Sequence, residues 1–256
     1  HFMLKEIHEQ PTVLRNFLDQ HVAPDGKAIV LKDFGLSDGD LLEVNHIIIE
    51  ACGTSWHAGL VGRLLLERLA RVSVDTEIAS EFRYRFHDSY RERDRSAIKS
   101  DVLKRDALVI AISQSGETAD TLAGVREARS FGLKVLSIVN VSSSTLARES
   151  DAVINLNAGP EIGVASTKAY TSQLMALYLF ALHLGRIRGF VDEERTVRRI
   201  DRLREIPDEM EARLADDANL RCIASEFCKS DNFLFIGRGF DYPGALEGAL
   251  KLKEVS

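Results

Sequence analysis

A hydroxyl-rich turn stands directly behind an apolar run in this chain. The run ALVIAI is followed by SQSGET, which places Ser113, Gln114, Ser115 and Thr118 around Gly116. Such a turn can hold a phosphate without lysine or arginine, because hydroxyls and the free amides of a helix N-terminus donate hydrogen bonds to it. By itself the turn is equally compatible with Ser115 and Thr118 acting only as helix caps.

Two further polar turns follow apolar runs in the same way. One follows IIIEA and consists of small or polar residues, Cys52, Gly53, Thr54 and Ser55. The other lies within GVASTKAYTSQ and can offer backbone groups and one hydroxyl, at Val164, Ala165 and Ser166. Because ligands of parallel sheets bind beyond the carboxyl ends of the strands, we expect these turns to hold a small phosphorylated polar molecule, such as a sugar phosphate.

Two reactive residues near these turns have simpler interpretations. Cys52 is more often a small buried residue than a nucleophile, and we assign it that role. Lys168 could pair with a phosphate, but a lysine in the first turn of a helix is more often solvated. We therefore expect neither to carry chemistry.

Three charged residues near the end of the chain share one face of a predicted helix. Glu247, Lys251 and Glu254 stand at positions i, i+4 and i+7. Their spacing alone predicts a surface ladder of ion pairs, each worth about 0.2–0.5 kcal/mol. Glu254 becomes a candidate for proton transfer only if this face lines a pocket.

Strand-like runs alternate with helical patterns through most of the chain. The runs IIIEA, ALVIAI, KVLSIV and AVINL are short, apolar and rich in β-branched residues, and helical patterns separate them. This alternation predicts an α/β fold with three layers, a parallel sheet flanked by helices. An N-terminal helix is expected with Pro11 in its first turn, a second helix from near Trp56, and a C-terminal cap at Gly132 for a third.

The organisation along the chain predicts four segments. Residues 1–45 form a linker and helical lead-in, 46–190 the first α/β subdomain, 191–217 linking helices broken at Pro207, and 218–256 the start of a second, similar subdomain. In the last segment the apolar run and glycines of NFLFIGRG are followed by a helical pattern, as at the start of the first subdomain. This repetition indicates a weak internal duplication.

Composition excludes several functional classes. The net charge of −6 disfavours nucleic-acid binding, and three scattered cysteines without metal-binding spacing favour a reducing cytoplasm and no metal. The longest apolar stretch, LMALYLFALHLG, is too short to cross a membrane, and no secretory signal or dinucleotide-binding glycine motif is present. We therefore expect a cytoplasmic protein without a cofactor.

Taken together, five segments closely resemble the glutamine–fructose-6-phosphate aminotransferases, or glucosamine-6-phosphate synthases. These segments are ACGTSWHAG, EIASEFRYR, SQSGETADTLAG, RESDAVINLNAGPEIGVASTKAYTSQL and LEGALKLKE. The N-terminal HFMLKEIHEQP also resembles the segment that joins the glutaminase domain of that family to its isomerase part. The resemblance implies two tandem sugar-isomerase (SIS) subdomains. It also implies conversion of fructose 6-phosphate and glutamine-derived ammonia to glucosamine 6-phosphate, with no metal or nucleotide cofactor.

The resemblance also implies roles for individual residues. It implies substrate contacts at the three polar turns, namely Cys52, Gly53, Thr54, Ser55, Ser113, Gln114, Ser115, Thr118, Val164 and Ser166. Glu254 corresponds to the carboxylate that moves a proton between C1 and C2 of the sugar. Lys251 stands beside it, and its positive charge is expected to keep Glu254 ionised.

The chain departs from the family pattern in some respects. The residues for glutamine hydrolysis, ring opening and Schiff-base formation have no counterpart here, so we expect a fragment that does not make glucosamine 6-phosphate by itself. Residues 86–102, within a charged segment interpreted as an exposed loop or surface helix, resemble an insertion. Trp56 and His57 stand where the family has a tyrosine and a small or polar residue. The expected partners are fructose 6-phosphate, a glutaminase domain of the same chain, and further copies in a homodimer or larger assembly.

Two other classes of function remain open at this point. A non-catalytic SIS-type regulatory domain would bind a phosphosugar with the turn at residues 113–118 and would not need Glu254. A pure scaffold domain would bind no sugar.

Overall fold

The computed structural model describes residues 1–31, 34–82, 84 and 106–255. The predicted insertion at 86–102 lies outside the described residues. The strands are β1 (His46–Ala51), β2 (Ser73–Ile78), β3 (Ala107–Ser113), β4 (Lys134–Val139) and β5 (Ala152–Asn155). The helices are α1 (Phe2–His21), α2 (Asp38–Leu42), α3 (Gly53–Leu69), α4 (Ala79–Phe82), α5 (Ala119–Ser130), α6 (Thr145–Arg148), α7 (Lys168–Ile187), α8 (Glu193–Ala215), α9 (Ala218–Phe227) and α10 (Asp241–Val255).

The five strands form one parallel sheet in the order β2-β1-β3-β4-β5. The predicted α/β class is therefore confirmed, and the runs IIIEA, ALVIAI, KVLSIV and AVINL all contain strands. The interior strands are buried almost throughout, as expected where helices cover both faces. The edge strand β2 was not predicted, and only Val74 of its six residues is fully buried.

Alternate residues of each strand face opposite helical layers. Ile47 and Ile49 pack in the larger core, which includes side chains of α1, α3 and α7. Ile48 packs in the smaller core, with side chains of α4, α5 and α6. The sheet therefore separates two hydrophobic cores, and the protein has the predicted three layers.

Two predictions about proline were wrong. Helix α1 begins at Phe2 and runs through Pro11, and α8 continues unbroken through Pro207. Proline removes an N–H donor, but the Gln10 Nε2 atom donates to the Ile7 carbonyl oxygen at 2.9 Å, which is the acceptor that the Pro11 N–H would have served. Pro207 lies on the buried stripe of α8, which packs on α1, and this packing offsets the local cost.

The predicted strand in the last segment is not formed. Residues 232–237, which include NFLFIG, are neither helix nor strand in the structure. No strand in the described part of the chain pairs with them. Helix α10 follows and packs against α3, so this last segment contacts the helices that flank the sheet.

Candidate functional site

The polar turns behind β1 and β3 lie side by side. Ala51 pairs in register with Ile112, so both strands end at the same edge of the sheet. One residue separates α3 from the end of β1, and five residues separate α5 from the end of β3, the last of them being its N-cap Thr118. Two helix N-termini therefore point their amides and partial positive charge toward this edge, which favours an anion.

The hydroxyls of the β3 turn face one another. Ser113 Oγ and Thr118 Oγ1 are 2.9 Å apart, and the Gly116 N–H donates to Ser113 Oγ at 3.0 Å. Thr118 occupies the cap position of α5, yet its side chain makes no capping hydrogen bond. Its hydroxyl therefore belongs to the turn, and the interpretation of Thr118 as only a helix cap is not supported.

Gly116 is required by the shape of this turn. Its φ of +68° lies in the left-handed region, and a Cβ there would overlap the Ser144 hydroxyl. The Leu146 N–H donates to the Gly116 carbonyl oxygen at 3.0 Å, and the Thr145 N–H donates to Glu117 Oε1 at 2.7 Å. This last hydrogen bond is the main reason why the pKa of Glu117 is lowered. The start of α6 thus holds the turn in place.

The β1 turn is connected to α7. The Gln173 Nε2 atom, on a buried side chain of α7, donates to Ser55 Oγ at 2.9 Å. Cys52 is partly buried, and burial raises the pKa of its thiol. A neutral thiol is a poor nucleophile, which agrees with the structural role expected for Cys52.

The third polar turn is organised by Glu161. Its carboxylate accepts hydrogen bonds from Ser166 Oγ at 2.9 Å, from the Thr167 N–H at 2.8 Å and from the Ala169 N–H at 3.2 Å. The hydroxyl of Ser166 is therefore engaged within the turn, whereas Val164 is 91% exposed. Among the predicted contact residues, Val164 is thus the least constrained by packing.

Helix α1 holds this third turn through two carboxylates. Glu6 is buried and accepts from the Ile162 N–H at 2.6 Å and from the Gly163 N–H. Lys168 is only 3% exposed, and its Nζ lies 2.7 Å from Glu9 Oε2. This hydrogen bond is the main reason why the pKa of Glu9 is lowered. The expectation that Lys168 is solvated was wrong, because α1 covers it and supplies its counter-ion.

The charged face of α10 is not a simple surface ladder. Glu247 is only 7% exposed, whereas Glu254 lies at the surface. Lys251 stands between them, with its Nζ 3.3 Å from Glu247 Oε1 and 2.7 Å from Glu254 Oε2. The predicted pair of Lys251 and Glu254 is thus in contact, and Glu247 anchors it from the buried side.

This face meets the first turn of α3. Thr54 Oγ1 donates to Glu247 Oε1 at 3.0 Å and accepts from Lys251 Nζ at 3.0 Å. His57 Nδ1 lies 2.6 Å from Glu247 Oε2. The structure therefore connects the predicted substrate loop at residues 52–55 with the predicted catalytic residues of α10.

The charge of Glu247 results from opposing effects. Burial raises the pKa of its carboxyl, but the hydrogen bond with His57, the Lys251 ammonium and the Thr54 hydroxyl together outweigh burial and leave the pKa lowered. Burial raises the pKa of Tyr170 to about 12, and the negative charge of Glu247 contributes. Glu247 is therefore a stable buried carboxylate.

Sequence reasoning missed His57, Glu247 and Gln173 as parts of the site. The helical spacing placed Glu247 on the face of Lys251 and Glu254, but its contact with His57 joins residues that are 190 positions apart. Among the described residues, we find no group of His, Cys, Asp and Glu side chains suited to hold a metal. Across the same residues, we find no helix with the length and hydropathy of a membrane span.

Relatives of known name match the whole chain. It is 44% identical to the glutamine–fructose-6-phosphate aminotransferase [isomerizing] of Clostridium tetani and 46% identical to that of Pseudomonas putida. Both alignments cover 100% of this chain and 40% of the relative, so the chain spans less than half of their length.

A solved structure agrees over nearly the same extent. The C-terminal domain of glucosamine-fructose-6-phosphate aminotransferase from Francisella tularensis superposes with a TM-score of 0.89 and 39% identity. This superposition covers 99% of the chain and 67% of that structure. The SIS domain profile matches residues 40–183, which span the sheet and most of α7. The chain therefore belongs to the SIS domain family and, within it, to the C-terminal domains of the glutamine–fructose-6-phosphate aminotransferases.

Proposed function

We propose that this chain is the isomerase part of a glucosamine-6-phosphate synthase. It binds fructose 6-phosphate and, within the complete enzyme, converts it with glutamine-derived ammonia to glucosamine 6-phosphate. The observation that carries this proposal is the contact between the substrate loop and α10, in which Thr54, Lys251 and Glu254 form a continuous chain of hydrogen bonds. A polar sugar loop is thereby joined to a carboxylate that can move a proton.

The phosphate is held at the N-terminus of α5. The hydroxyls of Ser113, Ser115 and Thr118 surround this point, and no lysine or arginine is needed because the amides and the helix dipole supply positive potential. The side chains of Ser55 and Ser166 and the backbone at Val164 then contact the sugar.

Glu254 moves the proton between C1 and C2 of the bound sugar. It lies at the surface end of the α10 face, where a ligand can reach it, and the Lys251 ammonium 2.7 Å away stabilises its carboxylate form. A purely regulatory sugar-binding domain would need the phosphate loop but not this carboxylate, so we favour the enzyme over that alternative.

The complete protein places this chain among further partners. We propose that a glutaminase domain of the same polypeptide supplies ammonia, that the protein works in the cytoplasm, and that copies associate as a homodimer or a larger assembly.

Sugar binding is tested by calorimetry with fructose 6-phosphate on the complete enzyme. Thr118→Ala is expected to weaken binding by about 1–2 kcal/mol, since a donor to a charged group is lost. Ser130→Ala is the control, because that hydroxyl lies at the other end of α5 and donates to the Glu127 carbonyl oxygen. Equal affinities of Thr118→Ala and the unchanged enzyme would contradict the assigned phosphate loop.

Proton transfer is tested by following deuterium exchange at C1 of fructose 6-phosphate. Glu254→Gln in the complete enzyme is expected to bind the sugar with nearly unchanged affinity and to lose exchange, since an amide cannot accept the proton. Exchange at the original rate in this variant would remove Glu254 from its proposed role.

A further inference from the structure

His57 takes part in the site, but the proposed function gives it no task. Its side chain lies in the second turn of α3 and is only 8% exposed, and its Nδ1 is 2.6 Å from Glu247 Oε2. A buried imidazole in so short a contact with a buried carboxylate determines how that carboxylate is oriented.

The direction of this hydrogen bond follows from the charge of its partner. An ionised carboxylate can only accept, so the Nδ1 atom of His57 carries the hydrogen and donates it to Oε2. The other oxygen, Oε1, accepts from Thr54 and lies 3.3 Å from Lys251 Nζ. Each oxygen of Glu247 therefore has its own partners, and the carboxylate cannot rotate without breaking contacts on both sides.

We propose that His57 is a positioning residue for the proton transfer assigned to Glu254. By holding Oε2 of Glu247, His57 keeps Oε1 on Thr54, and this arrangement leaves the Lys251 ammonium closer to Glu254 than to Glu247. The inference rests on the proposed function, because it gives His57 a role in the step assigned to Glu254.

Loss of His57 changes the balance at Lys251. The distances from Lys251 Nζ are 2.7 Å to Glu254 and 3.3 Å to Glu247, so the two carboxylates already compete for one ammonium. Without the His57 donor, Glu247 keeps its negative charge in a buried place with one hydrogen bond fewer. It then draws the ammonium of Lys251 inward, and Glu254 loses its partner.

Side chains of α3, α7 and α10 surround the contacts between His57, Glu247 and Lys251. The Trp56 ring lies 5.5 Å from the His57 ring, centroid to centroid. Tyr170 of α7 senses the charge of Glu247 and remains neutral, because its pKa is raised to about 12. The ionic groups facing His57 through Glu247 are thus Lys251 and, beyond it, Glu254.

The test compares two substitutions of His57 in the complete enzyme. His57→Leu removes the donor, whereas His57→Asn keeps one, since the amide nitrogen of asparagine and Nδ1 of histidine are both bonded to Cγ. His183→Leu is the matched control, because His183 also pairs with a carboxylate, Asp38 at 3.1 Å, outside this site. Each variant is measured for fructose 6-phosphate affinity, for C1 exchange across pH, and for the Lys251–Glu254 distance in a crystal structure.

We expect His57→Leu to bind the sugar within about threefold of the unchanged enzyme and to exchange about tenfold more slowly, with a displaced pH profile. His57→Asn and His183→Leu should retain both the rate and the profile. Wild-type exchange and pH profile in His57→Leu, or an equal loss in His57→Asn, would overturn the proposal. If His57→Leu does not fold, His57→Phe replaces it, since phenylalanine keeps a ring at this position and has no hydrogen-bond donor.

The crystal structures separate this inference from the proposed function. If the unchanged enzyme neither binds nor exchanges the sugar, the proposed function fails, and the distance in His57→Leu still decides the role of His57. A Lys251–Glu254 contact that stays as short in His57→Leu as in the unchanged protein would then overturn the proposal. A lengthened contact that His57→Asn restores would support it.

Discussion

Two stretches of this chain have the same outline, an apolar run followed by glycine and a helix, yet only one forms a strand. In residues 46–69 the run becomes β1, which is buried between β2 and β3. In residues 232–255 the corresponding run stays outside any sheet, and Leu234 and Ile236 are 88% and 82% exposed. The difference teaches that an apolar run becomes a strand only where neighbouring strands can satisfy its backbone hydrogen bonds.

The side chains around the second stretch reflect the same difference. Helix α9 has no buried residue, and a cavity of about 800 Å³ lies between α9, residues 232–237 and α10. By contrast, helix α3 behind β1 is packed against α7 and the sheet. The buried cores therefore lie around the sheet, and the last segment is joined to them mainly through the contact of α10 with α3.

The strongest test of this comparison uses one isoleucine from each stretch. Ile49→Ala in β1 is expected to lower the free energy of unfolding by about 2–5 kcal/mol, because it leaves a cavity in a closed core. Ile236→Ala, at an exposed position, should change it by less than about 0.5 kcal/mol. Urea denaturation measures both values, and similar losses would mean that residues 232–237 are packed as tightly as β1.

Two buried carboxyl groups sharpen the comparison further. Glu50 of β1 is fully buried, and neither of its oxygens has a hydrogen-bond partner among the described residues. Burial raises its pKa well above the ordinary value, whereas the pKa of Glu247 is lowered because its hydrogen bonds and the Lys251 ammonium outweigh burial. A Cβ at Gly124 would overlap the Glu50 carboxyl, so α5 closes over this group.

The two groups should give stability opposite dependences on pH. The raised pKa of Glu50 means that its contribution is complete below the unfolded pKa and is lost as the pH rises. Glu50→Gln should therefore be more stable than the unchanged protein at pH 8, by about 1–3 kcal/mol, and similar to it near pH 4. The lowered pKa of Glu247 means that its contribution to the free energy of unfolding is lost as the pH falls. Glu247→Gln should therefore make the free energy of unfolding depend less on pH in the acid range. Urea denaturation at several pH values measures the free energy of unfolding of both variants and of the unchanged protein. If both variants followed the pH dependence of the unchanged protein, the opposite pKa shifts of Glu50 and Glu247 would be contradicted.

Helix caps provide the smallest test. The Asp192 carboxylate accepts from the Arg195 N–H at 2.8 Å and caps α8, while Asp217 at the start of α9 makes no capping bond with its side chain. Asp192→Ala is expected to cost about 1 kcal/mol, and Asp217→Ala less than about 0.5 kcal/mol. Equal losses of stability in thermal unfolding would show that α9 depends on its N-cap residue as much as α8 does.

The sequence allowed most of the five-stranded sheet and its flanking helices to be predicted. The central strands are continuous apolar runs, so their pattern is strong, and the glycine at position 132 has the positive φ that its predicted cap requires. The strand β2 was missed because most of its residues are polar and exposed or only partly buried, so its sequence resembles a loop. The two prolines were misjudged because a side-chain donor in one case, and packing on α1 in the other, act against the local preference.

Some parts of the candidate site could likewise be proposed from the sequence, whereas others could not. Residues 113–118 and 52–55 could be proposed from the sequence because small and polar types cluster behind strands, and their role as substrate contacts stays a prediction. The roles of His57, Glu247 and Lys168 could not, because each depends on a partner far along the chain that local spacing does not reveal. Local sequence predicts that a charged residue at the end of a helix is solvated, because it does not show which other element of the fold covers that residue.

Helix α1 has a mechanical consequence for the edge of the site. Two of its carboxylates, Glu6 and Glu9, bind both ends of the turn that carries Val164 and Ser166, one end through amide hydrogens and the other through Lys168. The helix and the turn consequently behave as one body. Because both ends of the turn are bonded to α1, a displacement of this helix would move Ser166 with it, so the position of this predicted sugar contact depends on how the first helix is held.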